Sequence, residues 1–193
     1  MSKVIVGVTG THSTGKSSFC AELRQALEVQ GLSVASIPSF GSLAHAQGIP
    51  LLTNHTYDST MWFIDRTLEA QHAAIVNADI VIVDRPIIDA VAYWNAAVEY
   101  RGAAAAAHEI DAVHFVMRDQ CPAYTALVAT RLDASIPLGP DRDSNLRFRE
   151  SVDRHLHLLL ADLQMPHQML FPQVRESLLS NLQTEVLRQV GQS

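Results

Sequence analysis

Short uncharged runs rich in valine and isoleucine alternate along the chain with longer stretches in which apolar residues recur every three or four positions. The first pattern is typical of buried strands, and the second is typical of helices with one apolar face. The pattern predicts strands at residues 4–8, 32–37, 79–84, 112–117 and 168–171. It predicts helices at residues 17–30, 57–77, 87–100, 146–163 and 174–190.

Strands that alternate with helices build a parallel sheet whose two faces are both covered. We therefore expect an α/β fold, a three-layer sandwich with a five-stranded parallel sheet and helices on both faces. The chain has 193 residues, of which 48% are hydrophobic and 18% are charged, an ordinary composition for a globular domain. These values predict a single domain over residues 1–193.

Charge and cysteine content narrow the classes of partner and compartment. The formal net charge is -6, which argues against nucleic acid as a partner because a sequence-independent duplex binder needs an excess of basic residues. Cys20 and Cys121 lack metal-ligand spacing, so we expect them to be reduced packing residues. No apolar run approaches the roughly 18 residues of a membrane span, and no signal peptide is visible. We therefore expect a cytoplasmic protein without membrane attachment.

A glycine-containing segment lies between the first predicted strand and the first predicted helix. It reads Gly10-Thr11-His12-Ser13-Thr14-Gly15-Lys16-Ser17 and fits the phosphate-binding pattern GxxxxGK[ST] in the context that the pattern requires. In such a loop the backbone N–H groups turn inward around a phosphate, and the start of the following helix adds positive potential. A chance match in a glycine-containing turn is the alternative, and both flanks argue against it.

Two side chains at the end of this loop supply a charge and a metal ligand. Lys16 would reach the β- and γ-phosphates of a nucleotide, and the Ser17 hydroxyl would coordinate Mg²⁺. The chain has 12 arginines but only two lysines, Lys3 and Lys16, so a composition poor in lysine has placed one here. The predicted cofactor-binding set is Gly10, Thr11, His12, Ser13, Thr14, Gly15, Lys16, Ser17 and Ser18.

Asp84 stands at the end of the third predicted strand, after an uncharged apolar run, as a Walker B carboxylate does. Ligands of open α/β sheets bind at this carboxyl edge. Asp84 could hold Mg²⁺ or take a proton from an attacking hydroxyl. A strand-end ion pair with Arg85 is the alternative, but a phosphate site needs a metal carboxylate, which favours the functional interpretation.

Four arginines cluster around the start of the helix predicted at 146–163, after a turn-rich stretch, and they are Arg142, Arg147, Arg149 and Arg154. On a lid-like segment at about 130–148, some of them could close over the transferring phosphoryl group. The alternative is a solvated helix face balanced by nearby acids. We predict phosphate roles for Arg142 and Arg149, with Arg147 as the third choice.

Aromatic residues offer a stacking platform for a base or sugar, and the candidates are Phe40, Tyr57, Trp62, Phe63 and Tyr93. Core packing is the more common role for such residues. Tyr57 and Trp62 are the predicted substrate-binding exceptions.

The chain resembles a small P-loop kinase over essentially its full length. The resemblance rests on the P-loop, on segments 83–89 and 141–153, and on a DR-x-x-x-D-x-x-x-Y arrangement formed by Asp84, Arg85, Asp89 and Tyr93. The chain is most similar to the group that includes thymidylate kinases, deoxynucleoside kinases and ribosylnicotinamide kinase-like AAA-domain ATPases. This resemblance implies a P-loop NTP hydrolase fold of the nucleotide kinase type, with ATP and Mg²⁺ as cofactors and a small-molecule acceptor.

The resemblance also assigns roles to individual residues. Gly10, Gly15, Lys16 and Ser17 would bind the ATP phosphates and Mg²⁺, and Asp84 and Arg85 would face the acceptor and its phosphate. Lys16, Asp84, Arg142 and Arg149 are the predicted catalytic residues, the two arginines acting as lid residues.

One segment departs from this group of kinases. Related enzymes place a charged residue just after the second strand, where it contacts the acceptor, whereas residues 37–42 here carry no charge. Three explanations stay open: the acceptor is bound differently, Asp84 is the only nearby base, or kinase activity has been altered.

The sequence therefore predicts an ATP-dependent kinase that transfers the γ-phosphoryl group to a nucleoside, a nucleotide or a nucleoside-like acceptor. A nucleotide-driven ATPase switch or scaffold coupled to a partner is one alternative, and a kinase acting on a modified base in DNA is another. ATP is preferred to GTP because the resemblance implies it and no Asn-Lys-x-Asp motif occurs. Pairing into a homodimer stays open.

Overall fold

A parallel sheet organises the computed structural model, which describes residues 3–133 and 144–191. Within these residues the sheet has five strands in the order β2-β3-β1-β4-β5, and every neighbouring pair is parallel. The strands are β1 (Val4–Thr9), β2 (Val34–Ile37), β3 (Ile80–Asp84), β4 (Ala126–Thr130) and β5 (Gln168–Leu170).

Helices connect these strands and cover both faces of the sheet. They are α1 (Lys16–Glu28), α2 (Gly41–Ala46), α3 (Tyr57–Asn77), α4 (Ile87–Tyr100), α5 (Ala107–Gln120), α6 (Leu146–Asp162) and α7 (Arg175–Gly191). The predicted fold class, a three-layer α/β sandwich, is confirmed.

The two faces of β1 send alternate side chains into different cores. Val4, Val6 and Val8 belong to a buried cluster with residues of α1 and α7, whereas Ile5 packs in a cluster that α3 borders. All six residues of β1 are buried because this strand has hydrogen-bonded neighbours on both sides. An uncharged, β-branched run therefore becomes the centre of the sheet.

Helix α4 is the buried centre of the other face. Nearly every residue from Ile87 to Ala97 is buried, because α4 packs between the sheet, α3 and α6. Helix α6 starts where the side chain of Asn145 accepts a hydrogen bond from the backbone N–H of Phe148 at 3.1 Å. Phe148, Val152 and Leu156 then pack against α4.

The strand order places the carboxyl ends of β3, β1 and β4 side by side at one edge of the sheet. The chain runs from β1 to β2, returns to β3 beside β1, and then crosses to β4 on the other side of β1. Such a reversal opens a crevice at the carboxyl ends of the strands. The segments after β1 and β3 and the carboxyl end of β4 therefore lie at this edge.

The predicted fourth strand is wrong. Residues 112–117 lie in α5, where the buried Val113 and Met117 are four positions apart and Phe115 between them is 72% exposed. This is the period of a helix that buries one face, although the residue types also suit a strand. The fourth strand is instead Ala126–Thr130, a five-residue run that is too short to show a clear period.

Three smaller features complete the description of the fold. Cys20 and Cys121 are both free and buried. In the described part of the chain, no helix is long and apolar enough to cross a membrane. The segment 38–56, between β2 and α3, contains α2 and a 3₁₀ turn at Leu52–Asn54.

The packing of α6 on α4 makes a stability prediction. Leu156 is 1% exposed, so Leu156→Ala should lower the free energy of unfolding by about 2–5 kcal/mol through lost burial and the cavity left behind. Leu158 on the same helix is 50% exposed, and Leu158→Ala should change it by less than about 0.5 kcal/mol. Urea denaturation followed by circular dichroism measures both, and equal losses would contradict this packing.

Candidate active site

The loop after β1 needs glycine at both of its ends. Gly10 has φ +147, and a Cβ there would lie 1.8 Å from Oγ1 of Thr130 on β4. Gly15 has φ +81 at the N-cap of α1. Because other residues rarely adopt these angles, the two glycines permit the tight bend that turns the chain from β1 into α1.

Lys16 is buried at the start of α1, with 4% of its surface exposed. Its Nζ donates hydrogen bonds to the carbonyl oxygen of Thr11 at 2.6 Å and to Oγ1 of Thr14 at 3.3 Å. Burial, and after it the charge of Arg85, lower the pKa of Lys16 to about 7, although the carboxylates of Asp89 and Asp84 oppose both effects. A bound anion would restore the charged form.

Ser17 and Asp84 meet at the carboxyl edge of the sheet. The Ser17 hydroxyl donates to Oδ2 of Asp84 at 2.5 Å, and Oδ1 of Asp84 is buried without a hydrogen-bond partner among the described residues. A hydroxyl and a carboxylate with a spare oxygen are the hard oxygen donors that Mg²⁺ prefers. The donor set therefore fits the metal that the sequence predicted at these two residues.

Asp89 is a second carboxylate at this edge. From the sequence it was noted only as part of the DR-x-x-x-D-x-x-x-Y arrangement, without a role of its own. It accepts hydrogen bonds from Oγ1 of Thr9 at 2.5 Å and from the backbone N–H of Gly10 at 3.3 Å. Its Oδ1 lies 3.6 Å from Nη1 of Arg85. Burial raises the pKa of Asp89 to about 6, against the lowering effects of Arg85 and Lys16. The feature of the sequence that could have identified Asp89 as a site residue is its position in the first turn of the helix after β3.

Arg85 has an unusual backbone at the end of β3. Its φ is +73, a conformation that is strained for a residue with a side chain, and its backbone N–H donates to the carbonyl of Val8 at 3.1 Å. Its guanidinium lies 5.2 Å from the centre of the Tyr93 ring. Arg85 pairs with Asp89, whereas Asp84 pairs with Ser17, so the alternative of an Asp84–Arg85 ion pair does not occur.

Helix α6 brings Arg149 to the loop. Arg149 is 3% exposed, and its Nη2 donates to the carbonyl oxygen of His12 at 3.4 Å. The hydroxyl of Tyr93, from α4, lies 3.1 Å from the backbone nitrogen of His12 and 3.0 Å from its ring Nδ1. Three segments distant in sequence therefore meet at His12.

The other clustered arginines lie elsewhere. Arg147 stacks over the ring of Tyr100 at 5.7 Å, and Arg154 pairs with Glu99 at 2.6 Å on an exposed surface. Arg142 lies outside the described residues, as does most of the predicted lid-like segment at 130–148.

One cavity of about 810 Å³ opens beside the loop. Residues 12–18 of the loop and α1 line it, together with Arg85, Asp89 and Tyr93. The rest of the lining includes an uncharged wall contributed by residues between 39 and 67: Ser39, Phe40, Gly41, Ser42, His45, Leu51, Leu52, His55, Phe63 and Thr67. Among the described residues that line the cavity, Lys16, Arg85 and Asp89 are the charged ones.

The predicted stacking residues do not line this cavity. Tyr57 lies against Trp94 with ring centres 5.9 Å apart, and Trp62 lies against Phe63 at 5.0 Å. Phe40, Phe63 and Tyr93 are the aromatic residues on the cavity wall.

A glycine-bounded loop after the central strand, a lysine at the helix start and a serine–aspartate pair define a P-loop protein with a nucleotide kinase-like fold. The sequence matches the family model AAA_28, described as an AAA domain, over residues 5–167, and the chain belongs to this family. A comparison with curated proteins gives no match.

Solved structures agree on the fold. A NadR protein in complex with NAD and AMP-PNP is similar with a TM-score of 0.64 and 14% identity, over 88% of this chain and 44% of that one. A NadR protein in complex with NR gives a TM-score of 0.64 and 14% identity, over 87% and 45%. Deoxyadenosine kinase from M. mycoides with bound dATP gives 0.65 and 13%, over 92% and 97%. The chain thus spans less than half of the NadR chains.

Burial of the Lys16 ammonium predicts that the stability of the protein depends on pH. The pKa of Lys16 is lowered to about 7 from an ordinary value of 10.5. Burial of the ammonium therefore lowers the free energy of unfolding by its full amount below pH 7, and this loss shrinks as the pH rises toward 10.5. Lys16→Met should therefore gain stability over the native protein, and that gain should shrink by about 2 kcal/mol between pH 6 and pH 8.5.

Urea denaturation at the two pH values measures this gain. Lys3→Met is the matched control, because the Lys3 side chain is 36% exposed and its removal should act equally at both. A Lys16→Met gain that is independent of pH would contradict the buried ammonium.

Proposed function

We propose that the protein is an ATP-dependent, Mg²⁺-requiring kinase that transfers a γ-phosphoryl group to a nucleoside-like small acceptor. The proposal rests on one observation: the buried Lys16 lines a cavity of about 810 Å³, and much of the rest of the lining is uncharged. The loop accounts for the phosphates of ATP, and the volume beside it leaves room for a second small molecule.

The phosphate-binding part comprises residues 10–18. The backbone N–H groups of the loop and of the first turn of α1 would surround the β- and γ-phosphates. Lys16 would exchange its hydrogen bonds to Thr11 and Thr14 for bonds to phosphate oxygens. Because the ammonium of Lys16 is already removed from water, this exchange needs little further desolvation. It replaces hydrogen bonds to neutral oxygens with hydrogen bonds to charged phosphate oxygens.

Ser17 and Asp84 would hold the metal. The spare, buried Oδ1 of Asp84 supports this role, because it has no partner among the described residues. When bound there, Mg²⁺ would neutralise negative charge on the transferring phosphoryl group.

Asp89 is the better placed general base of the two carboxylates. It lines the cavity, and its pKa is raised to about 6, so it is ionised at neutral pH yet basic enough to accept a proton. The acceptor oxygen would form a bond to the γ-phosphorus while the bond to ADP breaks, and the hydroxyl proton would pass to Asp89. Arg85 lies 3.6 Å from Asp89 and would orient it and attract the acceptor's new phosphate.

Arg149 would neutralise charge that develops during transfer. Its Nε is buried and has no hydrogen-bond partner among the described residues, an arrangement that is costly unless an anion completes it. Arg142 would act from the lid-like segment. Transfer would then depend mainly on positioning and charge neutralisation.

The structural neighbours are consistent with this proposal. The NadR structures contain NAD with AMP-PNP in one case and NR in the other, and the deoxyadenosine kinase holds dATP. Nucleoside kinase chemistry on a fold of this type therefore has a precedent.

A nucleotide-driven switch is the second candidate, and one observation favours it. The wall formed by Ser39, Phe40, Gly41 and Ser42 offers no carboxylate to an acceptor. A switch would hydrolyse ATP without a small acceptor and would respond to a protein partner. An assay of ADP release with and without nucleosides and nucleotides separates the two functions.

The proposal predicts a specific loss of activity. Lys16→Ala should reduce acceptor-dependent ADP release by at least about 10²-fold, because the variant loses charge stabilisation of the transferring group, while its circular dichroism spectrum stays native. Lys3→Ala removes the other lysine of the chain and should keep native activity. ADP release that no acceptor increases would reject the kinase, and native turnover in Lys16→Ala would reject the P-loop mechanism.

A further inference from the structure

His55 is a buried polar residue that the mechanism above does not use. It follows the 3₁₀ turn Leu52–Asn54, precedes α3 and lines the uncharged wall of the cavity. It is 2% exposed, and its Nε2 is buried with no hydrogen-bond partner among the described residues. A buried polar atom without a partner is rare and costs stability, so it calls for an explanation.

Three other histidines of the described chain each have a partner for one ring nitrogen. His157 lies 3.2 Å from the carbonyl oxygen of Thr130, and His155 lies 2.6 Å from Glu99. His167 lies 2.8 Å from the carbonyl oxygen of Met165. The unpaired Nε2 of His55 is therefore not a general property of the histidines in this protein.

The imidazole of His55 is neutral at physiological pH. Burial, and after it the positive charge of Arg101, lower its pKa to about 4, although the backbone of Ala90 and of Pro50 opposes both effects. A neutral imidazole offers one N–H donor and one lone-pair acceptor. This imidazole is suited to an uncharged partner, because it carries no positive charge to attract a carboxylate or a phosphate.

Aromatic rings flank this imidazole. The ring centre of Phe63 lies 5.6 Å from that of His55, and the ring centre of Tyr93 lies 6.5 Å away. Both rings also line the cavity. An apolar setting of aromatic rings with one unpaired polar atom matches a planar heterocycle, which presents a π face to aromatic residues and polar atoms at its edge.

We propose that Nε2 of His55 forms a hydrogen bond with the edge of an uncharged heteroaromatic ring on the acceptor, which makes His55 a specificity-determining residue. This inference rests on the proposed kinase function, because it places the acceptor's ring in the cavity beside the P-loop. The acceptor class it selects is an unphosphorylated nucleoside, recognised through its base, rather than a sugar or a small anion.

Two substitutions separate the hydrogen bond from the packing of the ring. His55→Phe keeps an aromatic ring and removes Nε2, whereas His55→Gln places an amide group where Nε2 lies. His72→Phe is the matched control, because His72 is exposed on α3 and does not line the cavity. The probes are deoxyadenosine, cytidine and uridine, whose rings are uncharged, with ribose as the probe that lacks a base.

We expect His55→Phe to raise KM for the best nucleoside probe by roughly tenfold, with kcat changed by less than about twofold, since one buried hydrogen bond is lost. His55→Gln should recover at least part of that loss. KM for ATP should be native in both variants, and ribose should bind equally weakly to all proteins. In ¹⁵N-histidine spectra of the native protein, the Nε2 signal of His55 should shift on addition of the nucleoside and not of ribose.

The outcomes distinguish this inference from the proposed function. A native nucleoside KM in His55→Phe, an equal loss in His55→Gln, or an unshifted Nε2 signal would overturn the role of His55 and leave the kinase intact. Native protein that binds none of the three nucleosides would also overturn it. Should His55→Phe fail to fold, the Nε2 signal of the native protein still decides. Failure to bind ATP and Mg²⁺ would instead reject the kinase itself.

Discussion

The burial of one ammonium group at a bend of the backbone is the constraint on which the site depends. Lys16 is 4% exposed, and its Nζ is held by the loop's own oxygen atoms at Thr11 and Thr14. Nearby carboxylates at Asp84 and Asp89 oppose its desolvation without cancelling it. A buried charge that is only partly compensated is costly, and a polyphosphate would complete it. The fold supports this arrangement with a fully buried central strand and two glycines whose backbone angles other residues rarely adopt.

The cavity beside this charge has chemically different parts. The loop, Arg85 and Asp89 supply charge, whereas the wall between residues 39 and 67 supplies aromatic, aliphatic and hydroxyl groups. Helix α4 joins these parts, because it carries Asp89 near the loop and Tyr93 between His12 and His55. The same helix is the apolar centre of one face of the fold. Packing of α6 against α4 then delivers Arg149 to the loop, so the stability of this core and the assembly of the site are linked.

Local patterns predicted much of this arrangement, and long-range burial explains the rest. The P-loop and Asp84 were visible because each follows a strand that is apolar throughout, and a parallel sheet brings such strand ends together. The strand predicted at 112–117 was wrong because its residue types suit both strand and helix, and only the exposure of Phe115 decides between them. The sequence gives no reason to select His55, because a lone histidine is more often a satisfied polar residue, and its burial between Phe63 and Tyr93 is a property of the fold. Tyr57 and Trp62 are not among the residues that line the cavity, and their rings pack against Trp94 and Phe63 respectively.

Isothermal titration calorimetry with ATP and Mg²⁺ at pH 8, in two buffers of different ionisation enthalpy, measures whether a triphosphate binds at the buried ammonium. The phosphates should raise the pKa of Lys16 from about 7, so we expect one nucleotide bound per chain with net uptake of protons. That uptake should disappear in Lys16→Met. No heat of binding from well-folded protein, or binding without proton uptake, would show that Lys16 is not the phosphate-binding group.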